Sequence, residues 1–285
     1  MAERPYVLLS VAMSADGCID DATDTRLILS NDADLDRVDE VRAGSDAILV
    51  GAGTIRRDNP ALLVRSSARR SGRIARGLPV SPARVTLTAS GDLDPAARFF
   101  TAGEGARLIY VPAAERDRIR GRLARAAGAA GVEVIGAGDP LSLGAVLADL
   151  AGRGVRRLMV EGGGTVLAQF LAEGLADELD LVVAPVFVGD PAAPRLVGSG
   201  GTGKRMHLAE ARLIGDVVLL RYLPGLSGTA GGLSPKRLVC TGIYAPRCEL
   251  RAPDRAGWGD EGYQNRGRRH ARRDRAKWLL PRPGL

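Results

Sequence analysis

Two glycine-rich turns, each launched from a short apolar run, carry the residue types best suited to chemistry: Asp46 to Thr54, with Gly51 and Gly53, and Arg157 to Thr165, with Glu161, Gly162, Gly163 and Gly164. An apolar run followed by glycines and then a helical pattern reads as a buried strand turning into a helix. That turn aims backbone N–H groups and the positive helix end at an anion, and the missing Cβ atoms allow close approach. Two such turns suggest a phosphate-rich ligand, such as a dinucleotide, held between strand ends. The plainer alternative is that glycine only permits tight strand–helix turns. Glu161 directly follows Leu158, Met159 and Val160, so its carboxylate is partly buried and needs a partner.

The fingerprint G-x-G-x-x-G would need glycine at Arg56 in the first turn and at Leu167 in the second, which disfavours a standard Rossmann unit. His207 and His270 are the two histidines, and no H-E-x-x-H, C-x-x-C, G-x-S-x-G or G-x-x-x-x-G-K-[ST] pattern occurs. No metal site is expected, and metal hydrolases, serine hydrolases and P-loop NTPases lose ground. Chemistry residing in a bound organic cofactor gains it, because such a site needs positioning groups more than nucleophiles.

The chain of 285 residues is 45 % hydrophobic, enough for a full core, and carries a formal net charge of +7. From Pro224 onward there are 13 Lys and Arg against 5 Asp and Glu, and the first 223 residues carry 27 against 28. Basicity therefore belongs to the tail, and no nucleic-acid partner is expected for the body. Cys18, Cys240 and Cys248 show neither metal-knuckle spacing nor an even disulfide count. No signal core or long apolar run occurs, so a cytoplasmic protein that does not span a membrane is expected.

An α/β layer architecture follows from the order of patterns. Tyr6 to Ala12 reads as a first strand ended by the turn Ser14 to Gly17, and Ser30 as the N-cap of a helix bearing Leu35, Val38 and Val41. Strands are expected at 47–50, 84–88, 107–111, 132–135 and 158–160, with helices at 113–127, 141–151 and after Gly164. The Arg/Ser/Gly-rich stretch 65–82 reads as a loop. Strands at 178–188, 208–213 and 217–222 end the domain, the last two joined at Gly215 and Asp216. The expected organisation is a domain over 1–223 and a Pro/Gly/Arg-rich tail over 224–285 that reads as disordered.

Taken together, Pro5 to Gly17, Val41 to Ala43, Asp46 to Arg65 and Val160 to Gly164 resemble the reductase domain of riboflavin biosynthesis proteins, in the same motif order from about Pro5 to Tyr222. The resemblance implies a dihydrofolate-reductase-like fold, with a mixed, mostly parallel central sheet flanked by helices and closed by antiparallel strands. It also implies NADPH-dependent reduction of 5-amino-6-(5-phosphoribosylamino)uracil, or its diaminopyrimidinone counterpart, by hydride transfer to ribose C1′ that yields the ribityl product, and a homodimer. By motif position, Gly51, Gly53, Thr54 and Asp58 correspond to cofactor contacts, and Gly162, Gly163, Gly164 and Thr165 to a pyrophosphate cradle. Arg42, Leu62, Arg65 and Glu161 correspond to substrate contacts, with Glu161 and Asp16 the candidates for catalysis. Each also has a local reading: Arg42 as a helix-face charge, Arg65 as a strand-edge charge, Asp58 and Asp16 as turn formers.

The family pattern carries lysine where this chain has Ser10 and tryptophan where it has Leu27, which leaves the substrate open. The zinc-binding deaminase signature that often accompanies the reductase is absent from this sequence. Two rivals stand beside the leading reading: a reductase of the same fold acting on another heterocycle or carbonyl, and a nucleotide-binding protein without catalysis.

Overall fold

The computed structural model describes residues 4–23, 25–126, 131–196 and 205–225. Strand β1 (Tyr6–Ser14) leads to helix α1 (Asp32–Ala43), then β2 (Ala47–Gly51), α2 (Ala52–Asp58), α3 (Ser67–Ala75) and β3 (Ala83–Leu87). The chain continues through α4 (Arg98–Thr101), β4 (Arg107–Val111), a 3-10 turn at Ala113–Glu115, α5 (Arg116–Ala126) and β5 (Val132–Gly136). The last part comprises α6 (Leu143–Gly152), β6 (Arg157–Gly162), α7 (Gly164–Glu173), β7 (Glu178–Ala184), β8 (Met206–Ile214) and β9 (Val217–Pro224).

Among the described residues nine strands form one sheet in the order β5-β4-β3-β2-β6-β1-β7-β9-β8. The strands from β5 to β7 are parallel, and β9 and β8 close the sheet antiparallel. Every residue of β2 and β4 is buried, as continuous apolar runs require when helices cover both faces. Alternate side chains serve opposite faces. Leu49, Leu158 and Val160 pack with Val146, Leu150 and Phe170 of α6 and α7, whereas Ile48 and Met159 pack with Ile55, Phe99 and Ile119 of α2, α4 and α5. At the antiparallel edge β8 is half-exposed, the pattern of a strand with one wet face.

Several boundaries differ from the sequence expectation. Asn31, not Ser30, caps α1, its side chain accepting from the Asp34 N–H at 2.9 Å. The stretch read as a loop contains α3, capped by Ser66. Its arginines build that helix into the core: Arg73 is buried and donates to the carbonyls of Pro79, Ala43 and Ser45 at 2.7–2.9 Å. Burial of this guanidinium without a carboxylate pushes its pKa down. Strand β7 stops at Ala184, four residues before the expected Val188. The tail from residue 226 lies outside the described residues.

The nine strands of the described residues are complete by Pro224. A chain truncated after Gly225 is therefore expected to melt within about 2–4 °C of the full-length protein, the shift that about 1 kcal/mol gives at this size. Calorimetry of both forms checks this, and an insoluble or unfolded product would refute the domain boundary.

Candidate active site

The carboxyl ends of β2 and β6 and the middle of β1 face a cavity of about 1100 Å³. Pockets for small ligands run to about 300–1,000 Å³, so this space is at the large end of that range. Both glycine turns meet there. A Cβ on Gly51 would lie 2.9 Å from Val166 Cγ2 and 3.8 Å from the Gly163 nitrogen, so the turns touch and no side chain fits between them. Gly162 has φ +121°, a conformation that side-chain-bearing residues avoid. A Cβ on Gly53, in contrast, would meet nothing within 4 Å, which leaves open space above the first turn. Helix α7 is N-capped by Gly163, which offers no side-chain acceptor. Its leading N–H groups therefore remain available to an anion.

Local backbone geometry aims Glu161. Leu49 pairs with Val160 and Val50 with Gly162, so Glu161 is the extra residue of a β-bulge. Bulges turn a side chain out of the regular pleat. The partner that burial demanded is Arg42 of α1, which binds the carboxylate with both prongs, Nε to Oε1 at 2.6 Å and Nη2 to Oε2 at 2.7 Å. Burial alone would lower the Arg42 pKa, but the Glu161 charge and hydrogen bonds outweigh it and raise the value. Arg42 also donates to the Leu63 carbonyl at 3.3 Å, which fixes the segment carrying the other candidates.

That segment is irregular. Leu62 adopts φ +52° and is buried on the cavity wall, and Arg65 stands half-exposed at the rim. Asp39 of α1, missed by the sequence reading, holds it in place. Its buried carboxylate accepts the Arg65 N–H at 2.5 Å and the Ser66 N–H at 3.0 Å, and pairs with Arg69 at 3.1 Å. Burial pushes the Asp39 pKa up, but these donors prevail and hold it below the usual carboxylate value.

Asp58 also lines the cavity. Its Oδ1 is buried and has no hydrogen-bond partner among the described residues. Burial and nearby Asp20 raise its pKa against the opposing charges of Arg26 and Arg57. An orphaned acceptor beside an open glycine turn fits a ligand bearing hydroxyl or amide donors. Thr54 and Thr165 line the same wall.

Asp16 is not brought to the cavity. Its carboxylate accepts from the Ser14 hydroxyl at 2.5 Å and from the N–H groups of Val188 and Gly189 at 3.1 and 2.7 Å. These donors hold its pKa at about 2. Three donors occupy this carboxylate and it does not line the cavity, so Asp16 is corrected from a catalytic candidate to a tie between two loops. Ser10 and Leu27 do line the cavity. Ser10 pairs in register with Asp180 of β7, and Arg37 of α1 reaches that carboxylate at 3.0 Å. Arg37 also pairs with Asp34 and so lies between two carboxylates. Helix periodicity does not reveal such a long-range ion pair.

A mostly parallel sheet with paired glycine turns and a carboxylate–guanidinium pair at the strand mouths defines an α/β protein with a ligand crevice at its strand ends. The chain belongs to the RibD C-terminal domain family, whose model matches residues 5–220. It is 35 % identical over 214 residues to the 2,5-diamino-6-ribosylamino-4(3H)-pyrimidinone 5′-phosphate reductase of Archaeoglobus fulgidus, covering 75 % of this chain and 95 % of that protein. It is 34 % identical to the reductase of the same name from Methanothermobacter thermautotrophicus, covering 77 % and 98 %. Among solved structures, Acinetobacter baumannii RibD is similar at 25 % identity and a TM-score of 0.64, over 78 % of this chain and 59 % of that one. Among the described residues, no helix is long and apolar enough to cross a membrane.

The Asp39 contacts give a pH-dependent expectation. A carboxyl whose folded pKa is depressed adds stability above its unfolded value of about 3.9 and loses it as pH falls through the folded value. Asp39→Asn should cost about 1.5–3 kcal/mol at pH 7, the range for hydrogen bonds to a charged group. The gap from wild type should shrink below about pH 4. Urea unfolding at pH 7 and pH 3 measures both, and an equal gap at the two values would contradict this account.

Proposed function

We propose that this chain reduces the ribosylamino group of a phosphoribosyl-pyrimidine, 2,5-diamino-6-ribosylamino-4(3H)-pyrimidinone 5′-phosphate or 5-amino-6-(5-phosphoribosylamino)uracil, to a ribityl chain with NADPH. The observation that carries this reading is the Glu161–Arg42 pair set at the mouth of two touching glycine turns. When bound, the reduced nicotinamide supplies the hydride that ends on sugar C1′. The protein positions the partners, which is where most of the rate advantage of such a transfer lies.

In this reading the leading N–H groups of α7, with Gly163 to Thr165, hold the cofactor pyrophosphate. Thr54 and the space over Gly53 admit the cofactor chain. Asp58 Oδ1 takes a hydroxyl or amide donor and so loses its unpaired state. Glu161 spends one lone pair of each oxygen on Arg42 and keeps the others for sugar hydroxyls or the pyrimidine amino group. Its role is to orient the substrate, and Leu62 closes the wall beside it.

The deciding assay is nicotinamide oxidation with and without the phosphoribosyl-pyrimidine. Substrate-dependent turnover is expected. Turnover with a different acceptor alone would transfer the fold to another heterocycle, and binding without turnover would make this a non-catalytic nucleotide binder. Glu161→Gln is expected to lower kcat/KM by at least about tenfold, equivalent to about 1.4 kcal/mol. Wild-type kinetics in a correctly folded variant would remove Glu161 from the site.

A further inference from the structure

A polar row crosses the antiparallel side of the sheet. Ser10 of β1 stands in register with Asp180 of β7, Asp180 with Arg221 of β9, and Arg221 with Glu210 of β8. Residues opposite one another on adjacent strands project to the same face, so these four side chains form a line from the cavity to the sheet edge. The two ends differ. Ser10 is buried and lines the cavity, whereas Glu210 is partly exposed at the edge strand. Arg37 of α1 joins the line, its Nη1 donating to Asp180 at 3.0 Å.

Charge alternates along this path. Asp34 pairs with Arg37 at 2.7 Å, Arg37 with Asp180 at 3.0 Å, Asp180 with Arg221 at 2.9 Å, and Arg221 with Glu210 at 2.8 Å and Glu178 at 2.7 Å. Asp180 is fully buried, and the two guanidinium groups that hold it come from opposite sides, α1 and β9. Donation to Asp180 raises the Arg221 pKa more than burial lowers it. Buried ion pairs add little net stability, because desolvation offsets the attraction. What they fix is position. Arg37 is the member for which position matters, since it lines the cavity with Asp34 while Arg221 does not. Its Nε is committed to Asp34 and its Nη1 to Asp180, and its Nη2 donates to no group among the described residues.

We propose that Arg221 is a positioning residue for the reduction: by holding Asp180 from the β9 side, it fixes Arg37 so that Nη2 meets an acceptor of the pyrimidine substrate. The substrate is expected on this wall because Asp34, Val38 and Arg42, four residues apart on one face of α1, all line the cavity, and Arg42 holds Glu161. The inference rests on the reading of Glu161 as the group that orients the substrate. Removing Arg221 leaves the charge of Asp180 to Arg37 alone, which draws that guanidinium toward β7 and away from the ligand. Glu178 keeps Tyr6 and Arg157, and Glu210 keeps Arg212. Arg221→Ala therefore strands no carboxylate and is expected to fold.

The experiment compares full-length wild type, Arg221→Ala and Arg221→Lys in steady-state kinetics with the phosphoribosyl-pyrimidine and NADPH, with melting temperatures measured alongside. Arg221→Ala is expected to raise KM for the pyrimidine about fivefold, a shift of the size that members of a coupled network produce, while KM for NADPH stays within about twofold of wild type. Arg221→Lys should recover part of the loss, because an ammonium restores the charge but not the planar fork. If Arg221→Ala does not fold, Arg221→Gln, which keeps a long side chain without the charge, carries the same comparison. A rise in KM for both ligands that follows a lowered melting temperature would show structural support only, and an unchanged pyrimidine KM would show that Arg221 positions nothing. Either result overturns the proposal. Wild-type turnover beside an unaffected Arg221 variant defeats this inference alone, whereas a wild type without pyrimidine-dependent turnover defeats the reading of the site and this inference with it.

Discussion

The two-pronged pair between Arg42 and Glu161 ties together chain segments 119 residues apart, the last turn of α1 and the bulge of β6. Both side chains are mostly buried, at 16 % and 15 % exposure. Removing one partner of such a pair strands the other charge and costs about 3–5 kcal/mol, so neither residue is independently replaceable. The pair also settles what Glu161 offers a ligand. Its oxygens face a guanidinium and act as acceptors, which suits orientation of hydroxyl and amino groups better than proton donation.

The same logic extends along α1. Its buried residues include Asp34, Arg37 and Asp39, so the helix presents charge inward where an ordinary surface helix presents leucine. Asp34 pairs with Arg37 within the helix, and the other partners come from distant elements: Arg37 also meets Asp180, which Arg221 of β9 reaches at 2.9 Å, and Asp39 meets the backbone of the segment after α2. Helix α1 thus acts as a template of fixed charges on which the Leu62–Arg65 segment is laid. A single unpaired member would leave a desolvated charge, and this makes the arrangement stiff.

The glycine turns, the alternation of strands and helices, and the need of Glu161 for a partner were legible because each is a local property of consecutive residues. What could not be read depends on residues far apart in sequence. The stretch 67–75 has two serines, a glycine and three arginines, and by composition it is a loop. It is a helix because Arg73 finds three carbonyls in the core. Asp16 failed in the opposite way. Its type and turn position suit an acid, but the Ser14 hydroxyl beside it and the N–H groups of Val188 and Gly189, 172 and 173 residues away, occupy its carboxylate and lower its pKa. The register of β1 with β7 sets Ser10 beside Asp180, whose partner Arg37 lies 143 residues away from it in the sequence.

Topology explains why the cavity lies where it does. Strand β6 enters late in the chain yet is inserted between β1 and β2, which sequence proximity would have paired. From neighbouring strand ends the chain then departs to opposite faces: Ile55 of α2 packs in one hydrophobic layer, and Val166, Leu167 and Phe170 of α7 pack in the other. Two helices that diverge from adjacent strands cannot cover the strand ends between them, and this is the position where open α/β sheets bind ligands. Glycine at 51, 162 and 163 lets the two departures begin in contact, because a Cβ at 51 or 163 would press on Val166 or on Thr54 Oγ1, and φ at 162 excludes one. The crevice is thus a consequence of strand order, while its narrow floor is a consequence of composition.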